Sequence, residues 1–188
     1  MLDIVYMDDV RERLITAGVE LLEQDGLAAL TQRRITLHAG VSHGAPRHHF
    51  PTYAGLLAAI AGVGLDELDH DVSACLTVPD PRRAVSEACN AVIGYAVAHP
   101  AMFELFGRHD LLDGAGGELR RYPSSWLAAL TRRMQEAQPD AGEQHAIALW
   151  AAVQGLGTMV GRRSVEAIST SAIAPEAVIK TLVSSLIK

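Results

Sequence analysis

Apolar residues recur every three or four positions along almost the whole chain, the spacing of one face of an α-helix. Val10, Leu14, Ala17 and Leu21 form the first such stripe and predict a helix over about residues 8–25. Gly26 follows, and glycine often ends a helix because it adopts positive φ angles without strain. No segment alternates apolar and polar residues with period two, so the sequence predicts no β-sheet.

The same spacing predicts an all-α protein of about nine helices. Proline and glycine mark the breaks between stripes, and 113–117 is a connection rich in glycine. The eight helices after the first are predicted to cover about residues 32–39, 43–49, 52–76, 82–98, 101–112, 126–137, 143–166 and 175–186.

Two of these helices are short and lie close together. Thr31 is a good N-cap for the second helix, and Ser42 is a good N-cap for the third. The turn between them, Gly40-Val41-Ser42, has the length and the glycine of a helix-turn-helix motif. We therefore expect a three-helix head, residues 1–50, and a larger helical body, residues 51–188.

The distribution of charge narrows the function of the head. The 188-residue chain has a net charge of −6, which argues against a general binder of polyanions. Residues 26–55, however, contain no acidic residue but three arginines, Arg33, Arg34 and Arg47, and four histidines. An acid-free, donor-rich surface at a helix-turn-helix is what contact with DNA phosphates requires.

Other classes of protein receive little support. The two cysteines are too few for a metal cage or a disulfide framework, and we expect neither metal nor cofactor. No phosphate-binding glycine loop or Ser-His-Asp arrangement indicates an enzyme, so we predict no catalytic residues. The longest apolar run, 146–160, is too short to span a bilayer, and the N-terminus lacks a basic signal start, so a cytoplasmic location is expected.

The segment from Gly26 to Ile60 resembles the DNA-binding domain of the TetR family of bacterial transcriptional regulators. The resemblance rests on the sequence GLAALTQRRITLHAGVSHGAPRHHFPTYAGLLAAI, with its Thr31 cap, its Ala39-Gly40-Val41-Ser42 turn and its His49-Phe50 ending. It implies a transcriptional regulator, most simply a ligand-relieved repressor that binds a palindromic double-stranded DNA operator as a homodimer. The alternatives are a helical small-molecule-binding or interaction protein without DNA binding and, least favoured, an enzyme.

The resemblance implies which head residues face DNA. The start of the second helix and the whole of the third would contact phosphates and base edges, and the start of the fourth would offer a hydroxyl to phosphate. The predicted DNA-binding residues are Thr31, Arg33, Ser42, His43, Gly44, Ala45, Arg47, His48 and Tyr53. Two of them depart from the family pattern, which usually has Tyr at the position of Arg47 and Lys near Tyr53.

The resemblance of the body to the TetR family is less specific than that of the head. The segment from Trp150 to Leu156 is similar to a Trp…His-Gly segment of one group of TetR C-terminal domains, with Gln154 where that group usually has His. The predicted helix over 143–166 is apolar nearly all round and therefore needs cover on more than one side. Its Leu149 side is predicted to meet the partner subunit together with the last helix; plain core on both sides is the alternative. The predicted dimer residues are Leu149, Val153, Leu156, Val160, Ile179, Leu182 and Val183.

A small, mostly apolar effector is expected to bind between the body helices and to shift the spacing of the two heads. Aromatic and methionine side chains would line its pocket, with histidines as polar handles. The predicted ligand-binding residues are His99, Met102, Phe103, Phe106, Trp126, Trp150 and Met159. For each aromatic residue, a place in the ordinary core is the alternative.

Overall fold

The computed structural model describes residues 2–112, 114, 117–168 and 174–187, with side chains from residue 9 onward. These residues form helices joined by short turns and contain no β-strand. The eleven α-helices of this part of the chain are α1 (Leu2–Asp25), α2 (Gln32–His38), α3 (Ala45–His49), α4 (Tyr53–Leu76), α5 (Pro81–Ala98), α6 (Pro100–Gly107), α7 (His109–Leu112), α8 (Arg121–Ala137), α9 (Glu143–Gly161), α10 (Val165–Ile168) and α11 (Pro175–Leu186).

The all-α class is confirmed, while the count of about nine helices is too low. The predicted helix over 101–112 is interrupted at Arg108, which separates α6 from α7. The predicted helix over 143–166 ends at Gly161 instead, since the backbone turns at Arg163 with a φ of 55°. At the other end of the chain, α1 begins at Leu2, about six residues earlier than predicted.

Local signals account for most boundaries in the head. Gly26 ends α1 with a φ of 77°, as predicted. The Thr31 side chain accepts a hydrogen bond from the backbone N–H of Arg34 and so caps α2. Thr52 caps α4 in the same way, accepting from the N–H of Gly55 at 3.0 Å.

The start of α3 differs from the prediction. Ser42 does not cap this helix, and His43 lies in the preceding turn, because α3 begins only at Ala45. Pro46 takes the second position of α3, where its missing N–H has no partner to lose. The recognition helix is therefore five residues long, and the segment before it is an irregular turn closed by a hydrogen bond from the Ala45 N–H to the Ser42 carbonyl.

The body packs around α5, which contacts α4, α8, α9 and α11. Small residues allow close approach where these helices cross. A Cβ atom on Gly157 would lie 2.8 Å from Cζ of Phe103, and one on Gly161 would lie 2.8 Å from the backbone oxygen of Ala96. These glycines therefore set the distance of α9 from α5 and α6.

The helix α4 belongs to both parts of the molecule. Its first turns pack against α1 and place Leu56, Leu57 and Ile60 in the core of the head, whereas its later turns pack against α5 and α8. The boundary predicted at residue 50 stays a prediction, and by packing the head extends into α4.

Four of the residues predicted to form a dimer interface are instead core residues of the single chain. Leu149, Val153, Ile179 and Val183 are 0%, 1%, 0% and 4% exposed, so no partner subunit can cover them. The physical reason is that α9 turns its larger aliphatic side chains toward α5 and α8, where they fill the body. Leu156, Val160 and Leu182 are half-buried and keep some accessible surface.

No helix in the described ranges is both long enough and apolar enough to cross a membrane.

Candidate DNA-binding surface and effector cavity

The helix-turn-helix of the head is held in place from α1. The Arg13 guanidinium donates hydrogen bonds to the backbone carbonyls of Ala39 at 2.5 Å and Gly40 at 3.1 Å, at the C-terminal end of α2. A cation suits this position, because the last carbonyls of a helix lack partners and carry partial negative charge. Gly40, with a φ of 61°, then turns the chain toward α3. Sequence reasoning missed Arg13, whose partners lie 26 and 27 residues away.

Two further contacts fix the end of α3 and the start of α4. The guanidinium of Arg11 lies over the ring of Phe50, 5.4 Å from its centroid. The Tyr53 hydroxyl donates a hydrogen bond to the backbone oxygen of Leu30 at 2.8 Å, and burial raises the pKa of this hydroxyl. The single hydroxyl proton of Tyr53 is therefore engaged within the head, and donation to a phosphate would require this bond to break.

Ion pairs with α1 neutralise one side of the head. Arg34 pairs with Asp25 at 2.5 Å, and His38 lies 2.8 Å from Glu20. The guanidinium groups of Arg33 and Arg47, by contrast, make no ion pair or hydrogen bond within the described residues, and both side chains are exposed. Glu20 and Asp25 of α1 are thus engaged by His38 and Arg34, and two cations without a carboxylate partner among the described residues remain on the helix-turn-helix.

Most of the predicted DNA-binding residues lie on the surface of the head. Ala45 and Tyr53 are half-buried, whereas the other predicted residues are exposed: Thr31, Arg33, Ser42, His43, Gly44, Arg47 and His48. A Cβ atom on Gly44 would meet nothing within 4 Å, so no neighbour within the head requires a glycine there. Contact of each of these residues with DNA stays a prediction.

A cavity of about 610 Å³ lies in the body between α4, α6, α8 and α9. Four of the seven residues predicted to bind a ligand line it, namely Phe103, Phe106, Trp126 and Trp150. The volume is within the range of small-molecule sites in proteins, roughly 300–1,000 Å³. The two indole rings contact each other, with centroids 5.7 Å apart.

The other three predicted ligand residues lie elsewhere. His99 is on the surface, with Nδ1 3.5 Å from a carboxylate oxygen of Glu23 on α1. Met102 is 2% exposed and packs against Gly64, where an added Cβ would come within 2.6 Å of its Cγ. Met159 is half-buried and does not line the cavity. The two methionines lie on helix faces that turn away from the cavity, and His99 lies in the junction between α5 and α6.

Charged residues at the cavity were missed by sequence reasoning. Three arginines line it, Arg108, Arg120 and Arg162, together with one carboxylate, Glu104. Glu104 pairs with Arg162 at 3.1 Å. Arg108 donates two hydrogen bonds of 2.8 Å to Asp110, and these bonds lower the pKa of the Asp110 carboxyl. The arginines come from three separate segments, so no run of charge in the sequence reveals them.

Carboxylates of α4 hold the wall formed by α8. The Trp126 indole N–H donates to Asp69 at 2.6 Å, and the Tyr122 hydroxyl donates to Asp66. The Trp126 N–H is thus used by the protein, and its ring offers the cavity an apolar surface.

The helix α6 connects the cavity to the head. Phe103, Glu104 and Phe106 of α6 line the cavity, and the same helix packs against α1 and the 3₁₀ turn Leu27–Ala29. The His99–Glu23 contact ties the start of α6 to the end of α1. The helix α6 therefore contacts both the cavity and the head.

No cluster of three or more metal-ligating side chains occurs in the part of the chain described.

A helix-turn-helix head with an exposed, acid-free face, mounted on a helical body with a cavity, defines the class of a DNA-binding regulator. Residues 14–60 match the family model of bacterial regulatory proteins, tetR family. Residues 14–60 are therefore a DNA-binding domain of the TetR family of bacterial regulatory proteins.

Solved structures share the fold over nearly the whole chain. A protein with unknown function from Rhodococcus sp. RHA1 has 22% identity and a TM-score of 0.77, with 95% of this chain and 96% of that chain covered. A transcriptional regulator from the same organism has 24% identity and a TM-score of 0.72, covering 94% and 95%. BioQ, solved with its natural double-stranded DNA operator, has 20% identity and a TM-score of 0.68, covering 94% and 96%. No curated protein matches the chain.

Proposed function

We propose that this regulator is a repressor that binds a palindromic operator as a homodimer and releases it when a small molecule enters the body cavity. The observation that carries the proposal is the exposed surface of α2, α3 and their turn, where Arg33 and Arg47 lack carboxylate partners among the described residues. Free cations on a helix-turn-helix are suited to phosphate contact. The structure of BioQ with its DNA operator provides the precedent in this fold.

The short recognition helix requires contacts from two heads. Five residues of α3 and the preceding turn reach only a few base pairs, so one head gives little specificity. Two heads related by a twofold axis would read two half-sites roughly one DNA turn, about 34–36 Å, apart.

The outer face of α9 is suited to pairing two chains. Ile147 is 50% exposed, and Ala148, Ala151 and Gly155 are exposed beside it. A Cβ atom on Gly155 would meet nothing within 4 Å of its own chain, so a partner helix has room to approach. From residue 144 to 161 the helix contains no Asp, Glu, Lys or Arg, which is unusual for a solvated surface. This face replaces the Leu149 side as the proposed interface.

Relief of repression would act through α6. A ligand that contacts Phe103 and Phe106 displaces the helix that packs on α1, and the heads would lose the spacing that DNA requires. A screen of small apolar compounds for loss of operator binding tests this step. A screen in which no compound alters DNA affinity would contradict it.

The DNA-binding step is tested with the intergenic DNA next to the protein's own gene. We expect a shift of this DNA at low salt, and Arg47→Ala should weaken binding and lower the salt slope by about one unit, because one phosphate contact is lost. Arg82→Ala is the matched control, since Arg82 is an exposed arginine of the body. An unchanged slope in Arg47→Ala would count against the phosphate contact. No binding by the unaltered protein at low salt would favour a small-molecule-binding protein without DNA binding.

A further inference from the structure

We propose that the effector is an amphipathic anion, with an apolar body against the aromatic wall of the cavity and an anionic group bound by Arg120. The inference rests on the proposed role of the cavity as the effector site and specifies the chemical class that it takes. It also revises the expectation of a mostly apolar effector with histidine handles.

Most side chains of the wall formed by α4, α6, α8 and α9 are apolar. Leu65 and Leu68 of α4 face the cavity together with Phe103, Trp126 and Trp150. Asp69 occupies the indole N–H of Trp126, so this ring presents no donor to a ligand. Such a wall recognises an aliphatic or aromatic body by burial of apolar area.

Among the described residues of the cavity, one arginine is left without a carboxylate partner. The carboxylates of Glu104 and Asp110 are each paired with an arginine, Arg162 and Arg108 respectively. Arg120 is the third arginine, and its side chain makes no ion pair or hydrogen bond within the described part of the chain. A guanidinium in this condition offers up to five donors in a planar fork, the geometry that a carboxylate accepts.

The pairing of the cavity carboxylate with an arginine makes cationic and neutral ligands less favourable than an anion. A cationic ligand would find no free carboxylate among the described residues of the cavity, since Glu104 is held by Arg162. A neutral ligand would gain from the apolar wall, but a hydrogen bond from Arg120 to a neutral acceptor is weaker than one to an anion. An amphipathic anion gains from both the apolar wall and Arg120. Because the chain has a net charge of −6, an anion is attracted only where cations are concentrated locally.

The test compares three probes of equal chain length, decanoate, decanol and decylamine, by the change in tryptophan fluorescence on binding. Both tryptophans of the chain line the cavity, so the signal reports on this site. Decanoate should bind more tightly than decanol, and Arg120→Gln should weaken decanoate by roughly tenfold, the change that one charge-assisted hydrogen bond of about 1.4 kcal/mol gives. Decanol binding should change less than decanoate binding, because a hydroxyl forms a weaker hydrogen bond with a guanidinium than a carboxylate does. Arg132→Gln, at an exposed arginine of α8 outside the cavity, should leave both affinities unchanged.

The outcomes separate the ligand class from the proposed function. Equal or tighter binding of decanol, or of decylamine, overturns the anionic class and leaves the cavity as an effector site. Unchanged decanoate affinity in Arg120→Gln overturns the role of Arg120. Failure of every probe to bind up to its solubility limit overturns both the class and the effector site. If decanoate binds but does not release operator DNA, the anionic ligand class is supported and the proposed relief of repression by a ligand is contradicted.

Discussion

Gly18 lies where α1 packs closely against α4, and the contact leaves no room for a larger side chain. A Cβ atom built there would lie 2.2 Å from Cδ1 and 2.8 Å from Cγ1 of Ile60, a fully buried, β-branched residue of α4. Gly18→Ala should therefore lower the free energy of unfolding by about 1–3 kcal/mol through overpacking. Urea unfolding measures this change.

The control for Gly18→Ala is Gly94→Ala. Gly94 is an exposed residue of α5 with nothing within 4 Å of an added Cβ atom, so alanine should raise stability there by about 0.5–1 kcal/mol. Equal unfolding midpoints for Gly18→Ala and the unaltered protein would show that α1 and α4 can separate without cost.

Individual residues that depend on distant partners were not predictable from the sequence. Thr31 was identified correctly because a cap acts on a backbone N–H only three residues away. Arg13 and Arg120 have the appearance of ordinary solvated residues on polar faces, and only the tertiary structure shows what surrounds them. His99 was predicted to be a polar handle of the cavity, yet it lies outside the cavity, beside Glu23.

Among the elements, α9 shows why an apolar helix is difficult to orient. With apolar residues all round, its sequence does not specify which side faces the core, and the Leu149 side was wrongly chosen as the dimer interface. The start of α3 was misplaced for a similar reason. Ser42 and Gly44 are both acceptable N-cap residues, and only the backbone decides between them.

The outer face of α9 gives a direct test of dimer formation. Ala151→Arg would introduce a charge at the centre of the proposed interface, where it has no partner and disfavours burial, so the protein should sediment as a monomer and bind operator DNA more weakly. Ala128→Arg, at an exposed alanine of α8, should leave both properties unchanged. Sedimentation of Ala151→Arg as a dimer would place the interface elsewhere.

At the scale of the whole molecule, the net charge of −6 and the capacity to bind DNA are compatible because the charges are segregated. Residues 26–55 contain no acid, and α1 turns Glu20 and Asp25 toward partners within the head. A dimer would present two such surfaces while the acidic body repels DNA, which favours a specific site over nonspecific binding.

The continuity of α4 has a mechanical consequence. This single helix of 24 residues contributes Ile60 to the core of the head and Leu65 and Leu68 to the cavity wall. A tilt of the helix at the cavity would therefore displace its N-terminal end, which lies in the head. Tyr53 lies about 18 Å along the axis from Leu65, and a tilt of about 5° would move it by roughly 1.6 Å. Two such helices in a dimer would change the separation of the recognition helices by about 3 Å, without any helix unfolding.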